Sequence, residues 1–142
     1  MEKSTMPKRL LVVDDDPLFR NMLVEILEFK GYEIIQARDG EEGIEVFKKE
    51  KEIDLVIADI RMPRKNGFQM AKEIHDLDPT MPILFISGWF DASREAEGKD
   101  AALTLKNNLS PTLNFLKKPF RITQLVSLIE ELTNPKHRAG VA

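Results

Sequence analysis

Side chains that could do chemistry together follow the apolar runs of this 142-residue chain. Asp14 and Asp15 come directly after the first run, and Asp59 comes after the third. The fourth run ends in Ser87, and the fifth leads into Lys118. Carboxylates without neighbouring cysteine or histidine suit a hard cation, Mg²⁺ better than zinc. The hydroxyl of Ser87 and the ammonium of Lys118 add hydrogen-bond donors for an anionic group. The set therefore predicts a site for a divalent cation and an anion.

These side chains can meet only if the runs are parallel strands that end at one edge of a sheet. Strand-length apolar runs alternate with helical patterns along the chain, and the predicted strands are Arg9–Asp14, Tyr32–Ala37, Ile53–Asp59, Pro82–Ser87 and Leu113–Lys117. The predicted helices are 17–31, one that begins after Asp39, Gly67–Leu77, one of uncertain limits within 88–112, and Ile122–Leu132. This alternation predicts an α/β fold with three layers, a doubly wound parallel sheet between helices.

A single aspartate after a strand is most often a helix cap, and Asp16, followed by Pro17, fits that role. Asp59 has no helix to cap, because Pro63 disfavours helical geometry at Met62. The recurrence of acid, acid, hydroxyl and lysine on successive strand ends indicates a functional cluster rather than a set of caps.

The composition limits the classes of function. Hydrophobic residues make up 42% of the chain and charged residues 32%, as is usual for a globular domain, and there is no cysteine to form a disulfide or a thiolate site. The net charge of -3 argues against direct nucleic-acid binding. The apolar runs are too short to span a membrane, and residues 1–6 lack the apolar stretch of a signal peptide. We therefore expect no membrane association and a cytoplasmic location.

Four motifs resemble the receiver domain of bacterial two-component response regulators, in the single-domain form known from chemotaxis. They are Leu-Val-Val-Asp-Asp-Asp-Pro at 11–17, Leu-Val-Ile-Ala-Asp-Ile-Arg-Met-Pro-Arg-Lys-Asn-Gly at 55–67, Ile-Leu-Phe-Ile-Ser-Gly at 83–88 and Leu-Lys-Lys-Pro-Phe at 116–120. The resemblance implies one receiver domain over residues 8–133 and a C-terminal tail over 134–142. It also implies a flavodoxin-like (βα)5 fold with strand order 2-1-3-4-5, in which the first and third strands are neighbours.

The resemblance assigns roles to the acidic residues. Asp59 would be the phospho-acceptor, a carboxylate nucleophile that becomes an aspartyl phosphate. Asp15, Asp59 and the backbone carbonyl of Arg61 would bind Mg²⁺ directly, while Asp14 would act largely through water. The three carboxylates carry -3, and Mg²⁺ together with Lys118 would restore neutrality before an anionic phosphoryl group arrives.

The resemblance also implies a switch. Ser87 would hydrogen-bond a phosphoryl oxygen and move inward after transfer, and Lys118, joined to Pro119 by a cis bond, would pair with Asp59 or its phosphoryl group. Phe115 stands where the family often has an aromatic residue that swings inward behind the moving hydroxyl. The alternative is that Phe115 is a plain core aromatic.

The implied donor is a histidine kinase or a histidine phosphotransfer protein. Docking contacts are expected on the exposed side of the first helix, at Arg20, Asn21 and Glu25, and on the Pro119–Phe120 loop. The output would be a change in affinity for a protein target that the sequence does not identify, and a homodimer is compatible with the family. The domain would not be an enzyme beyond its own phosphoryl transfer and autodephosphorylation.

The sequence departs from the family between the fourth and fifth strands. The chain from Ser87 to Lys118 is longer than usual by roughly two helical turns, and the surplus lies within 89–114. The segment would be either a lengthened or displaced fourth helix that serves an unusual partner or a tolerated surface insertion. Trp89 and Arg61 are expected to overhang the site and hinder the water that hydrolyses the aspartyl phosphate. His75 and His137 are expected to have no functional role.

Other functions remain open at this point. The chain could be a fragment of a longer regulator or of a hybrid kinase. An apolar strand that ends in Asp14-x-Asp16 also resembles the nucleophile motif of haloacid-dehalogenase-like phosphatases, in which Asp14 would attack. Such enzymes need a late acidic pair for Mg²⁺, and Glu130-Glu131 lies inside a predicted helix. A flavin-binding module shares the fold, but an acidic first loop would repel the cofactor phosphate.

Overall fold

The computed structural model describes residues 6–62, 64–87 and 112–135, with Ser87 described by its backbone. These residues form β1 (Arg9–Val13), α1 (Pro17–Phe29), β2 (Glu33–Ala37), α2 (Gly40–Lys49), β3 (Leu55–Ala58), α3 (Gly67–Leu77), β4 (Ile83–Ser87), β5 (Leu113–Lys117) and α4 (Ile122–Leu132). The helix expected between β4 and β5 falls on residues 88–111, which lie outside the described residues. The same holds for Trp89, His137 and most of the predicted tail.

The five strands form one parallel sheet in the order β2-β1-β3-β4-β5, as predicted. β1 lies between β2 and β3, and Val13 is in register with Ala37 on one side and Ala58 on the other. The next residue along each of β1 and β3 is Asp14 and Asp59. The sheet therefore brings these two aspartates to neighbouring positions at its carboxyl edge.

Alternate residues of β1 enter two separate cores, which explains why the strand is apolar throughout. Leu11 and Val13 pack with α2 and α3, while Leu10 and Val12 pack with α1 and α4. The three-layer arrangement predicted from the alternation of strands and helices is thus confirmed. No helix in the described part of the chain is long and apolar enough to cross a membrane.

The bounds of α3, β5 and α4 agree with the prediction, whereas β1, β2, β3 and β4 are one to three residues shorter. The carboxyl ends of β1 and β3 show the reason. The N–H groups of Asp14 and Asp59 still donate to Ala37 and Val13, at 3.1 Å in both cases. The carbonyl of Asp14, however, accepts a hydrogen bond from the Arg20 side chain. Regular pairing of β1 therefore stops where the candidate site begins.

The start of α1 is fixed by local interactions that the sequence predicts. The carboxylate of Asp16 accepts hydrogen bonds from the backbone N–H groups of Leu18 (3.0 Å) and Phe19 (3.4 Å), and Pro17 occupies the first turn. After the helix, Gly31 has a φ of 101°, which glycine adopts without strain. Asp16 is thus a helix cap, as expected.

Caps also set the starts of α2 and α3. Asp39 Oδ1 accepts from the Glu42 N–H at 2.8 Å, and Glu42 reaches back to the N–H of Arg38 rather than to that of Asp39 itself. At α3, Asn66 and Gln69 form a reciprocal capping box with two bonds of 2.9 Å. Because Asn66 is the cap of α3, Asp59 is left free of any capping role, as the sequence predicts.

Candidate functional site

Three carboxylates converge at the carboxyl ends of β1 and β3. Asp14, Asp15 and Asp59 each place a carboxylate oxygen within 4.8 Å of the other two. Asp14 is almost fully buried (3% exposed), Asp59 is half-buried and Asp15 is exposed. The convergence that was predicted from the strand ends is therefore present.

The electrostatics of the cluster favour the neutral form of its buried members. Burial raises the pKa of Asp14 to about 6, and the charges of Asp59 and Asp15 act in the same direction. A backbone N–H of Asp16 and the charge of Lys118 oppose that rise. Burial likewise raises the pKa of Asp59, against the charge of Lys118. A cation placed among these carboxylates would relieve the cost of keeping all three ionised.

The loop after β3 holds Asp59 firmly. Its Oδ1 accepts from the N–H of Ile60 at 2.7 Å, and the carbonyl of Ile60 accepts from the N–H of Gly67 at 2.8 Å. Gly67 packs so closely that a Cβ there would lie 2.5 Å from the carbonyl oxygen of Asp59 and 2.9 Å from the ring of Phe85. The glycine is needed for close approach, because any larger residue would push against the backbone of Asp59.

Lys118 completes the site at the same carboxyl edge of the sheet. It follows β5, its peptide bond to Pro119 is cis as the resemblance implies, and its side chain is half-buried. Its positive charge lowers the pKa of both Asp14 and Asp59. Its ammonium lies over the ring of Phe19, 3.7 Å from the ring centroid.

The donor set fits Mg²⁺. Three carboxylate oxygens close enough to share one ion, one of them buried with a raised pKa, are the hard oxygen ligands that Mg²⁺ prefers. Asp14, Asp15 and Asp59 would hold the ion, which would supply positive charge next to the reacting oxygen of Asp59. The backbone carbonyl of Arg61 remains a predicted fourth ligand.

The switch residues are placed only in part. The backbone of Ser87 pairs with Lys117, so β4 ends beside β5 at the same edge of the sheet, but the Ser87 side chain lies outside the described residues. Phe115 is 44% exposed and its ring lies 5.4 Å from that of Phe85. The interpretation of Phe115 as a plain core aromatic is therefore wrong, because it lies on the sheet-edge strand β5. Arg61 is exposed beside the site.

The structure adds contacts that the sequence interpretation missed. Arg20 was expected on the exposed side of α1, but it is half-buried and donates to the Asp14 carbonyl and, at 3.3 Å, to Gln36. That expectation was wrong because the nearby carbonyl draws the guanidinium inward. Phe19, whose ring contacts the Lys118 ammonium, was not singled out from the sequence. Arg20 and Phe19 lie in the first turn of α1, directly after Asp15 and Asp16. Their closeness in sequence to these aspartates was the signal that could have pointed to a role at the site.

The family model of the response regulator receiver domain matches residues 10–130, almost the whole predicted domain. The chain belongs to the response regulator receiver family. This membership decides against the dehalogenase-like phosphatase and the flavin module. The chain is thus a receiver domain of bacterial two-component signalling. Receiver domains of this family are phosphorylated on an aspartate, and the similarity to response regulators implies a histidine kinase as the partner.

Two curated relatives of this receiver are the response regulator MprA of Mycolicibacterium vanbaalenii and the transcriptional regulatory protein PdtaR of Mycobacterium tuberculosis. MprA is 31% identical over 138 residues, which cover 95% of this chain and 55% of MprA. PdtaR is 34% identical over 128 residues, which cover 89% of this chain and 57% of PdtaR. The chain therefore spans about half the length of the curated relatives that it matches.

Solved receiver structures agree over nearly their whole length. A CheY-like receiver domain protein from Methanospirillum hungatei is 25% identical with a TM-score of 0.80, and the match covers 96% of this chain and all of the other. A receiver domain protein from Clostridium thermocellum is 27% identical with a TM-score of 0.76, covering 91% and 96% of the two chains. The receiver fold thus accounts for the sheet order β2-β1-β3-β4-β5.

Proposed function

We propose that this receiver accepts a phosphoryl group on Asp59 from the phosphohistidine of a histidine kinase or a histidine phosphotransfer protein. An oxygen of the Asp59 carboxylate forms a bond to phosphorus while the phosphorus–nitrogen bond of the donor breaks. The electron pair stays on the imidazole nitrogen, which takes a proton from water. The observation that carries this proposal is the convergence of Asp14, Asp15 and Asp59 within 4.8 Å, with the charge of Lys118 acting on two of them.

The charges of the site explain the role of each residue in phosphoryl transfer. Asp14, Asp15 and Asp59 would hold Mg²⁺, and the ion would supply positive charge that screens the attacking carboxylate from the anionic donor. Lys118 adds a further positive charge from the end of β5. The loop bonds to Ile60 and Gly67 hold Asp59 in place, so that little reorganisation is required during transfer.

The phosphorylated form would act by changing affinity for a protein partner. The phosphoryl group on Asp59 adds negative charge, which hydrogen-bond donors would stabilise. Ser87 is the last residue of β4, and its hydroxyl would be one such donor. Phe115, exposed in this state, would turn toward the core as Ser87 moves. Its replacement by tryptophan would report that motion: we expect the emission of Phe115→Trp to change on adding beryllofluoride with Mg²⁺.

The phosphohistidine donor would dock on the exposed side of α1 and the Pro119–Phe120 loop. Asn21 and Glu25 are exposed there, and the chain around Pro119 is accessible. We further propose that Arg61 and Trp89 slow the hydrolysis of the aspartyl phosphate by hindering the approach of water. Separate replacement of each by alanine should shorten the lifetime of the phosphoprotein. An unchanged lifetime in both would remove the shielding role.

The test of the acceptor uses acetyl phosphate and Mg²⁺, with the phosphoprotein counted by intact mass. The parent receiver should gain one phosphoryl group, and Asp59→Asn should gain none. Asp16→Asn is the matched control, since Asp16 adjoins the cluster but caps α1, and asparagine retains the cap. Phosphorylation of the Asp59→Asn protein would assign the nucleophile to another residue.

A further inference from the structure

The contact between Lys118 and Phe19 joins the basic member of the site to α1. The ammonium of Lys118 lies 3.7 Å from the centroid of the Phe19 ring, although 99 residues of sequence separate the two. The ring is half-buried and packs against the core formed with α1 and α4. Its backbone N–H is bonded to the cap residue Asp16. Core packing holds the Phe19 ring, and the hydrogen bond to Asp16 holds its backbone, so the ring has a defined position at the start of α1.

This geometry is favourable for an ammonium. The face of an aromatic ring carries negative charge density and attracts a cation within about 6 Å of its centroid. A lysine side chain has four rotatable bonds, so an unrestrained ammonium would spend much of its time away from the carboxylates. In this receiver the same ammonium acts electrostatically on Asp59 and Asp14 while it rests over Phe19. The ring thus limits the positions that Lys118 samples to the edge of the acidic cluster.

We propose that Phe19 is a positioning residue for phosphoryl transfer, holding the ammonium of Lys118 over its ring face at the edge of the acidic cluster. The proposal rests on the proposed function, because it assigns the placement of the cation that neutralises the incoming phosphoryl group. Phe19 touches no reacting atom and acts through Lys118 alone. The aromatic face, rather than the bulk of the side chain, is the required property.

The experiment replaces Phe19 by mono-, di- and trifluorophenylalanine, which preserve its shape while progressively removing negative charge from the ring face. The rate of phosphorylation by acetyl phosphate should fall with each added fluorine, to about two- to five-fold below the parent for the trifluoro ring. The same series at Phe29, which is exposed on the same helix, is the control and should leave the rate unchanged. Phe19→Trp should retain the parent rate.

A second readout needs no phosphorylation. In the metal-free protein the ring current of Phe19 should shift the NMR signals of the Lys118 ε-methylene protons upfield, and Phe19→Leu should abolish that shift. Absence of the shift in the parent protein would overturn the contact, whatever the acceptor chemistry. A rate that stays flat across the fluorinated series, in a protein that shows the shift and is phosphorylated, would reduce Phe19 to a space-filling residue. Failure of Asp59 phosphorylation with the shift intact would instead count against the proposed function.

Discussion

The guanidinium of Arg20 donates a hydrogen bond from Nη1 to the backbone carbonyl of Asp14, at a distance of 2.5 Å. Its Nε also donates to Gln36 Oε1 at 3.3 Å, so one side chain of α1 joins the acidic loop after β1 to the neighbouring strand β2. The Asp14 carbonyl lies where sheet pairing has ended, and it relies on this bond. Arg20 therefore braces the loop that carries two of the three clustered carboxylates.

The first prediction concerns this brace. Arg20→Met should weaken Mg²⁺ binding by about tenfold, because the loop holding Asp14 and Asp15 loses its orienting bond. Titration calorimetry with Mg²⁺ measures the affinity. Gln36→Ala is the matched control: it removes the second bond of the guanidinium and leaves the first, so its effect should be smaller. Equal affinity in Arg20→Met and the parent would show that the loop orients itself.

The pH dependence of stability provides a second prediction. The pKa of Asp14 is about 6 in the folded protein and has an ordinary value of 3.8. The folded state therefore binds more protons than the unfolded chain between these values, and the free energy of unfolding of the metal-free protein falls as the pH rises from about 4 to 6. The loss is on the order of 3 kcal/mol, and the raised pKa of Asp59 acts in the same direction.

Urea unfolding in EDTA at a series of pH values measures this dependence. Asp14→Asn carries no titrating group at this position, so its free energy of unfolding should vary less across the same window and exceed that of the parent at pH 7. A parent protein whose stability rises from pH 4 to 6 would contradict the assigned sign.

A third prediction concerns the close contact at the start of α3. Gly67→Ala should lower the free energy of unfolding by about 1–3 kcal/mol and slow phosphorylation, because the new methyl group meets the backbone of Asp59. Gly43→Ala in α2 is the control, since its methyl group meets the flexible Sδ of Met70. Urea unfolding and acetyl phosphate kinetics check both variants. Similar losses in both would point to general overpacking instead of displacement of Asp59.

The fourth prediction compares two aromatic residues in register on β4 and β5. Phe85 is fully buried and Phe115 is 44% exposed, with their rings 5.4 Å apart. Phe85→Ala should cost about 3–5 kcal/mol of unfolding free energy, the usual loss for a buried phenylalanine. Phe115→Ala should cost clearly less, because much of its ring already contacts water. Thermal or urea unfolding separates the two, and comparable losses would mean that Phe115 is packed as a core residue.

Most of the fold was predictable from the spacing of apolar residues. The bounds of α3, β5 and α4 were predicted to the residue, because apolar spacing marks each of these elements and Pro79 follows the end of α3. The acidic cluster was also predictable, since the carboxyl ends of parallel strands meet at one edge of the sheet.

The contacts of Arg20 and Phe19 were not predictable in the same way. Helical periodicity tells which side of α1 is apolar, but Arg20 lies at the boundary of that side, where a long side chain can turn outward or inward. The direction of the Arg20 side chain depends on two acceptors that are distant in sequence or outside the helix, the Asp14 carbonyl and the Gln36 side chain of β2. The ammonium of Lys118 likewise reaches Phe19 only because folding brings the end of β5 to α1. Such contacts depend on tertiary placement rather than on sequence spacing.

Three consecutive residues of α1 face three different surroundings. Leu18 is 81% exposed, Phe19 lies under Lys118, and Arg20 bonds to the Asp14 carbonyl. If the phosphohistidine donor docks on α1 as proposed, substitutions at Leu18, or at the exposed Met22 one turn later, would alter recognition of that partner and leave the acidic cluster unchanged. Positions 19 and 20 lack that freedom. On that proposal, recognition diverges at positions 18 and 22 without disturbing the contacts made at 19 and 20, and those two exposed positions are where an engineered signalling pair would be insulated from its relatives.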